Sequence, residues 1–266
     1  MNEEKILKLI KENPIVIKNI NNPTDDMKIA AISKNGLMIK YINNPGEEMK
    51  KNAVKNNVWA IEFIENPNEE IQKIAVENSW NALKFIKNPS EKIVRLGIAQ
   101  KGWAVQYCEN PSEEIQILAI EKDYDSIKYI KNPSEKIQKL AIEKDYHALR
   151  YIENPKESIE RLAVKINEAS VQLVKELNYE KKVSFLKENI LAIKYFKNHI
   201  DIEKIEDILK EIFSNEDVED KYVRDFLNCK SIGINQNNIS MDKIMFIYRF
   251  GSAKCKRIAV DEKLKY

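Results

Sequence analysis

Two histidines, His147 and His199, are the obvious candidates for proton transfer in this 266-residue chain. More than two copies of the repeat described below separate them. With packed helices roughly 10 Å apart, they stand on the order of 25 Å from each other and share no site. Paired glutamates such as Glu69–Glu70 and Glu113–Glu114 have the spacing of acid–base carboxylates. They fall at predicted helix starts, where capping and the helix dipole account for acidic residues. Cys108, Cys229 and Cys255 are odd in number and include no CxxC pair, which argues against a disulfide framework and a zinc site. Cys108 reads as a small core residue, and free thiols fit a reducing cytoplasm. No phosphate loop, dinucleotide fingerprint, HExxH or nucleophile elbow is present. These residues point away from catalysis, and no cofactor, metal or small-molecule substrate is expected.

Binding chemistry is better represented. All three tryptophans, Trp59, Trp80 and Trp103, cluster with Tyr124 and Tyr146 at one place in successive repeats, and aromatic side chains are enriched among interface anchors. A second row is cationic: Lys18, Lys40, Lys84, Lys128, Arg150 and Lys194 recur at one repeat position, interrupted by Glu62, Gln106 and Gln172. In a stack of repeats such a position forms a stripe that suits an acidic protein surface or phosphates. Val94 and Ile117, where other copies carry Gln or Lys, extend the candidate surface. The expected partner is a protein, with nucleic acid as the alternative.

The elements that carry these rows are set by a ruler. Prolines stand at positions 23, 45, 67, 89, 111, 133 and 155, each preceded by asparagine. The period of 22 residues marks a stacked array. It extends to nine copies over residues 1–198, the outermost lacking proline at their first position, as caps do. The reading of one unit is a first helix begun by Asn as N-cap, with Pro at its first position and an Asn-x-x-Glu capping box, as in Asn132-Pro133-Ser134-Glu135. Apolar residues at repeat positions 5, 8, 9 and 10 form its buried stripe, position 9 being small in Ala31 through Ala163. After a turn at positions 13–14, a second helix of about two turns buries positions 17, 19 and 20.

The pattern Asn-Pro-Ser-Glu-Glu-Ile-Gln-x-x-Ala-Ile, followed by Ile-Lys-Tyr-Ile-Lys-Asn-Pro, resembles tandem repeats of phage and bacterial proteins of unassigned function. It is also similar to shortened HEAT repeats and the leucine-rich repeat variant. The resemblance covers residues 1–198. It implies an all-α, right-handed α-solenoid and macromolecule binding, without any one activity. The phage likeness implies an inhibitor or decoy of a host defence protein, comparable to an anti-CRISPR. Some HEAT-like proteins excise damaged bases with Trp, Asp and Arg, a trio that Trp103, Asp125 and Arg150 imitate loosely.

Residues 199–266 depart from the ruler and form the second predicted domain. The segment 199–225 carries ten acidic against four basic residues, and helices are predicted over 202–213 and 217–229. A polar loop, 231–238, leads to a basic end in which 251–260 reads as a degenerate terminal repeat with Ala259 at the small position. Overall, 44 Lys and Arg balance 42 Asp and Glu, so no global field favours nucleic acid or an anionic membrane. No apolar segment is long enough to span a bilayer, and a soluble cytoplasmic protein is expected.

Overall fold

The structure, a computed structural model, describes residues 3–196, 199–234 and 239–264. Met1 and Asn198, the expected limits of the repeats, and residues 235–238 of the polar loop lie outside the described residues. The chain is an all-α solenoid of repeating helix pairs. Among the described residues there is no strand, only an isolated bridge between Ile232 and Ile239.

The first helices, α1 to α9, span Glu3–Glu12, Asp25–Lys34, Glu47–Asn56, Glu69–Asn78, Glu91–Gln100, Glu113–Lys122, Glu135–Lys144, Glu157–Ile166 and Tyr179–Glu188. Each occupies repeat positions 3–12. Every second helix is a six-residue 3-10 helix at positions 14–19, from Pro14–Asn19 and Gly36–Tyr41 to Glu168–Leu173 and Ile190–Tyr195. The sequence predicts two turns here. A 3-10 helix makes them with three residues per turn, which is how they fit into six.

The predicted cap is displaced by two residues. Asn22, Asn44, Asn66, Asn88 and Asn132 adopt left-handed backbone, φ between 47° and 53°, a region that asparagine tolerates better than most residues. Each therefore makes the reversal before the proline, and helix α7 starts after both. The N-cap is the residue at position 2: Ser90, Ser112 and Ser134 accept from the amide of the isoleucine three residues on, and Asn68 accepts from Ile71 at 3.0 Å. The capping-box assignment is thereby corrected. The glutamates occupy the first two helical positions, where they favour the positive end of the dipole.

The chain forms two compact units, Met1–Pro133 and Ser134–Tyr266. In the first, Ile71, Ala75 and Val76 of α4 and Ala82 and Leu83 of the following 3-10 helix illustrate the core, all but closed to solvent. Position 16 is a second small position: Ala60, Ala82 and Ala104 are fully buried, and Ser126 takes the same place. Position 8 is only half-buried, as at Leu96 and Leu118, and position 19 is half-buried or exposed. Val94 is wholly buried, so it belongs to the core and not to the surface suggested for it. Cys108 is half-buried where the other repeats of this unit carry isoleucine, and burial raises its thiol pKa.

Hydrogen bonds tie one repeat to the next. The amide of position 14 donates across the joint: Gly36 to Asn56 Oδ1 at 2.7 Å, Gly102 to Asp123 Oδ2 at 2.7 Å, and Trp80 to Gln100 Oε1 at 3.0 Å. The two glycines allow the closest approach. A Cβ on Gly102 would meet the Ala119 carbonyl oxygen and the Ser126 hydroxyl, and one on Gly36 would meet the Ala53 carbonyl oxygen. Where Trp80 brings a side chain, the longer Gln100 spans the joint.

The second unit holds repeats seven to nine and four further helices, α10 (Ile202–Phe213), α11 (Asp220–Asn228), α12 (Lys243–Phe250) and α13 (Ala253–Lys263). One core joins Phe185, Leu186 and Ile193 of the last repeat to Phe213, Phe226, Phe246 and Ile258. The Tyr222 hydroxyl donates to the Leu186 carbonyl at 2.6 Å, and burial drives its pKa upward. Helix α13 begins like a repeat, with Ser252 accepting from the Cys255 amide at 3.3 Å and Ala259 buried. Its Val260, at the position buried in repeats one to nine, is 58% exposed.

Two stability tests follow from caps and joints. Ser134→Ala should cost about 1 kcal/mol by thermal melting. Asn132→Thr should cost more than Asn132→Gly, because threonine caps well but resists left-handed backbone; equal melting of these two variants would restore Asn132 as the cap. Gly102→Ala should cost on the order of 1–3 kcal/mol through overpacking. Gly46→Ala, with nothing within 4 Å of the added methyl, should stay within about 1 kcal/mol of the parent.

Candidate binding face of the second helices

In the first unit, aromatic residues at positions 14 and 15 meet rings at position 19 of the next repeat. Trp59 stands edge-on to Phe85 with centroids 6.3 Å apart, Trp80 lies 6.3 Å from Tyr107, and Trp103 stands edge-on to Tyr129 at 5.9 Å. Tyr41, Phe63, Phe85, Tyr107 and Tyr129 thus form a row that the sequence reading counted only as core. The signal for it was present: position 19 is aromatic from repeat two to repeat seven, more uniform in size than a closed core of changing neighbours needs. Phe63, at 41% exposure, is its most open member, and Trp59 at position 15 is 40% exposed.

The two tryptophans at position 15 differ in what surrounds them. The Trp103 indole N–H donates to Asp125 Oδ1 at 2.7 Å. Lys128 Nζ lies 3.8 Å from the Trp103 ring centroid and bonds Asp125 Oδ2 at 2.8 Å, while Lys101 lies 4.6 Å from the ring and bonds Asp123. Burial opposes ionisation of Asp125, but hydrogen bonds from Lys128 and Trp103 and the charges of Lys128 and Lys101 hold its carboxyl below the usual range. Trp103 is therefore half-buried in a network joining two repeats. Tyr124, next to Asp125 in sequence, is half-buried.

The cations divide in the same way. Lys40 lies 4.9 Å from the Tyr41 centroid and 5.7 Å from that of Phe63, and Lys84 lies 5.6 Å from Phe85. Both are exposed, and among the described residues neither has an ion pair or hydrogen bond. Lys18 is exposed, and among the described residues no aromatic ring lies under its ammonium. Glu62 and Gln106 interrupt the row as expected, and the Gln106 amide donates to the Trp103 carbonyl at 2.9 Å. On the first helices, by contrast, some cations pair across repeats, as in Lys51–Glu70, Lys92–Glu69 and Arg95–Glu114.

In the second unit, Tyr146 stacks on His147 at 4.0 Å, and His147 Nδ1 lies 2.7 Å from Asp145 Oδ1. Arg150 is exposed, and Lys194 bonds Glu168 at 2.8 Å, which raises its pKa. Of the loose excision-like trio, Trp103 and Asp125 come together and Arg150 belongs to this other unit. A cavity of about 280 Å³ is lined by Lys165, Lys187, Glu211, Glu219 and Tyr222. Its cations are paired, Lys165 with Glu219 and Lys187 with Glu211. Among the described residues no three His, Cys, Asp or Glu side chains gather as metal ligands, and no helix is long and apolar enough to cross a membrane.

The Trp103 network has a pH signature. A carboxylate whose folded-state pKa is lowered stabilises fully above its unfolded value, about 3.9, and loses that contribution as pH falls through the folded value. Asp125→Asn keeps an acceptor for the indole but loses the charge. Its melting temperature should fall below the parent's at pH 7, with the gap closing as pH drops from about 5 toward 3; a gap independent of pH would remove the charge from this account.

Comparison with protein-family models, curated proteins and solved structures gives no match.

Proposed function

We propose that the chain is a non-catalytic α-solenoid that grips another protein through the second-helix face of its first unit. The observation that carries the reading is the exposed strip of Trp59, Phe63, Lys40 and Lys84, in which neither cation has an ion pair or hydrogen bond among the described residues. Half-exposed aromatic rings supply desolvatable area, and polar residues around them supply a rim. Because the Trp103 network is satisfied within the chain, anchoring falls to Trp59 and Phe63, with Trp80 beside them. The finer version rests on the likeness of the repeats to phage and bacterial ones: a phage-type inhibitor or decoy acting in the cytoplasm on a host defence protein. Nucleic acid is the second reading. The effective charge of the strip disfavours it, since Glu62 breaks the cation row and Asp125 neutralises Lys128.

Affinity purification from source cells after nuclease treatment tests the class of partner, which should remain bound without nucleic acid. With that partner purified, Trp59→Ala and Phe63→Ala should each cost about 2 kcal/mol of binding or more. Lys18→Ala should cost under about 1 kcal/mol, as exposed charges do. Binding that falls steeply with salt and responds equally to every cation would favour nucleic acid. Unchanged affinity in both aromatic variants would remove this face from the function.

A further inference from the structure

The chain supplies its own template for what the open part of this face lacks. At Trp103 three parts are assembled: the ring, a cation 3.8 Å from its centroid, and a carboxylate holding that cation at 2.8 Å. The cation and carboxylate, Lys128 and Asp125, are three residues apart in one 3-10 helix, where three residues make a turn and eclipse each other. Trp59 has the same edge-on ring partner in the next repeat, Phe85. There, however, Asn81 replaces Asp125, and its Oδ1 accepts from the Tyr107 hydroxyl at 2.9 Å. With no carboxylate to draw it, Lys84 rests near Phe85 instead. A carboxylate is present nonetheless: Glu62 follows Trp59 by three residues in one 3-10 helix, is exposed, and has no ion pair or hydrogen bond among the described residues. Ring and carboxylate are in place without a cation.

We propose that Trp59 and Glu62 receive a Lys or Arg side chain from an extended segment of a partner protein, whose flanking carboxylates pair with Lys40 and Lys84. The inference rests on the protein-binding reading above and names the partner's chemistry. At position 18 the three successive repeats present plus, minus, plus, and each of these charges is exposed. Repeats packed roughly 10 Å apart, met by a segment in polyproline II form, which rises about 3.1 Å per residue with three residues per turn, call for one partner charge on the same side at about every third residue: acid-x-x-base-x-x-acid. Arginine suits the central place best, since its planar cation stacks on an indole and pairs with a carboxylate at once. A polyphosphate strand would meet Glu62 in the middle of the row with like charge.

The test uses the full chain as bait for a random 16-residue peptide library displayed on phage, with circular dichroism and melting to verify each variant. Enriched peptides should carry the acid–base–acid order, and Trp59→Ala should weaken the best of them at least tenfold. Against the triple variant Lys40→Glu, Glu62→Lys, Lys84→Glu, the enriched order should invert to base–acid–base. No enrichment, or an order that does not invert, overturns the inference. If the order fails to invert while Trp59→Ala and Phe63→Ala still abolish binding, the face binds protein but not by this charge code. Peptides indifferent to both aromatic variants would sink the reading of the face as well. A labelled oligouridine that binds the parent, is lost with Lys40→Glu and Lys84→Glu, and binds Glu62→Lys more tightly would replace the protein segment with nucleic acid.

Discussion

Everything in the repeat depends on how closely two short helices can approach within 22 residues. Ten α-helical and six 3-10 residues leave six for both connections, so the helices must pack nearly backbone to backbone. Position 9 on the first helix and position 16 on the second meet this need by carrying almost no side chain: Ala75 and Ala82 in one repeat, Gly97 and Ala104 in the next, all buried. Gly97 shows the tolerance, since a Cβ there would press on Leu83 and Ala104. The apolar groups that close the core, such as Val76 and Leu83, flank these contacts. The 3-10 form of the second helix follows from the same limit, because it makes two turns in six residues.

Much of this was legible in the sequence because a period is a statement about geometry. The spacing of the prolines gives the unit, and the alanines at position 9 give the close contact. Helix α10 falls where its apolar spacing placed it, over 202–213. What escaped were features whose residues have two good uses. Asn before Pro serves as an N-cap or as a left-handed reversal, and Ser or Asn two residues later decides between them by capping the helix itself. Position 13 is similar: Asn35, Asn57, Asn167 and Asn189 accept from the amide two residues on, whereas Asp123 reaches the preceding repeat. Composition does not separate such cases, because the competing hydrogen bonds are of similar strength.

The second unit shows what becomes of a stack when the ruler ends. A repeat buries its face only against a neighbour, so the last one must be covered by other means. Helices α10 and α11 do this with larger groups than the repeats use. Phe213 and Phe226 pack at 4.9 Å, Tyr222 fixes α11 to the Leu186 carbonyl, and Lys187–Glu211 and Lys165–Glu219 close the edge. The acidic residues that stand out in 199–225 thus have a local use against the lysines of repeats eight and nine. Their number marks a cap on the last repeats and does not by itself mark a surface for another molecule.

The candidate face was the hardest part to foresee, because its character is decided by neighbours one repeat away. Trp59 and Trp103 occupy the same position and meet the same kind of ring. Asp125 in the following repeat gives Trp103 a partner for its N–H and a charge that pulls Lys128 over its face. Asn81, in the corresponding place, is taken by Tyr107 and pulls nothing. One side chain therefore turns a tryptophan into a brace between repeats or leaves it open to solvent. A row of like residues read down the sequence misses this, since the alternation lies in the pairs. Where the pair is complete the aromatic residue serves the stack, and where it is incomplete the surface keeps an unused carboxylate and an open ring side by side.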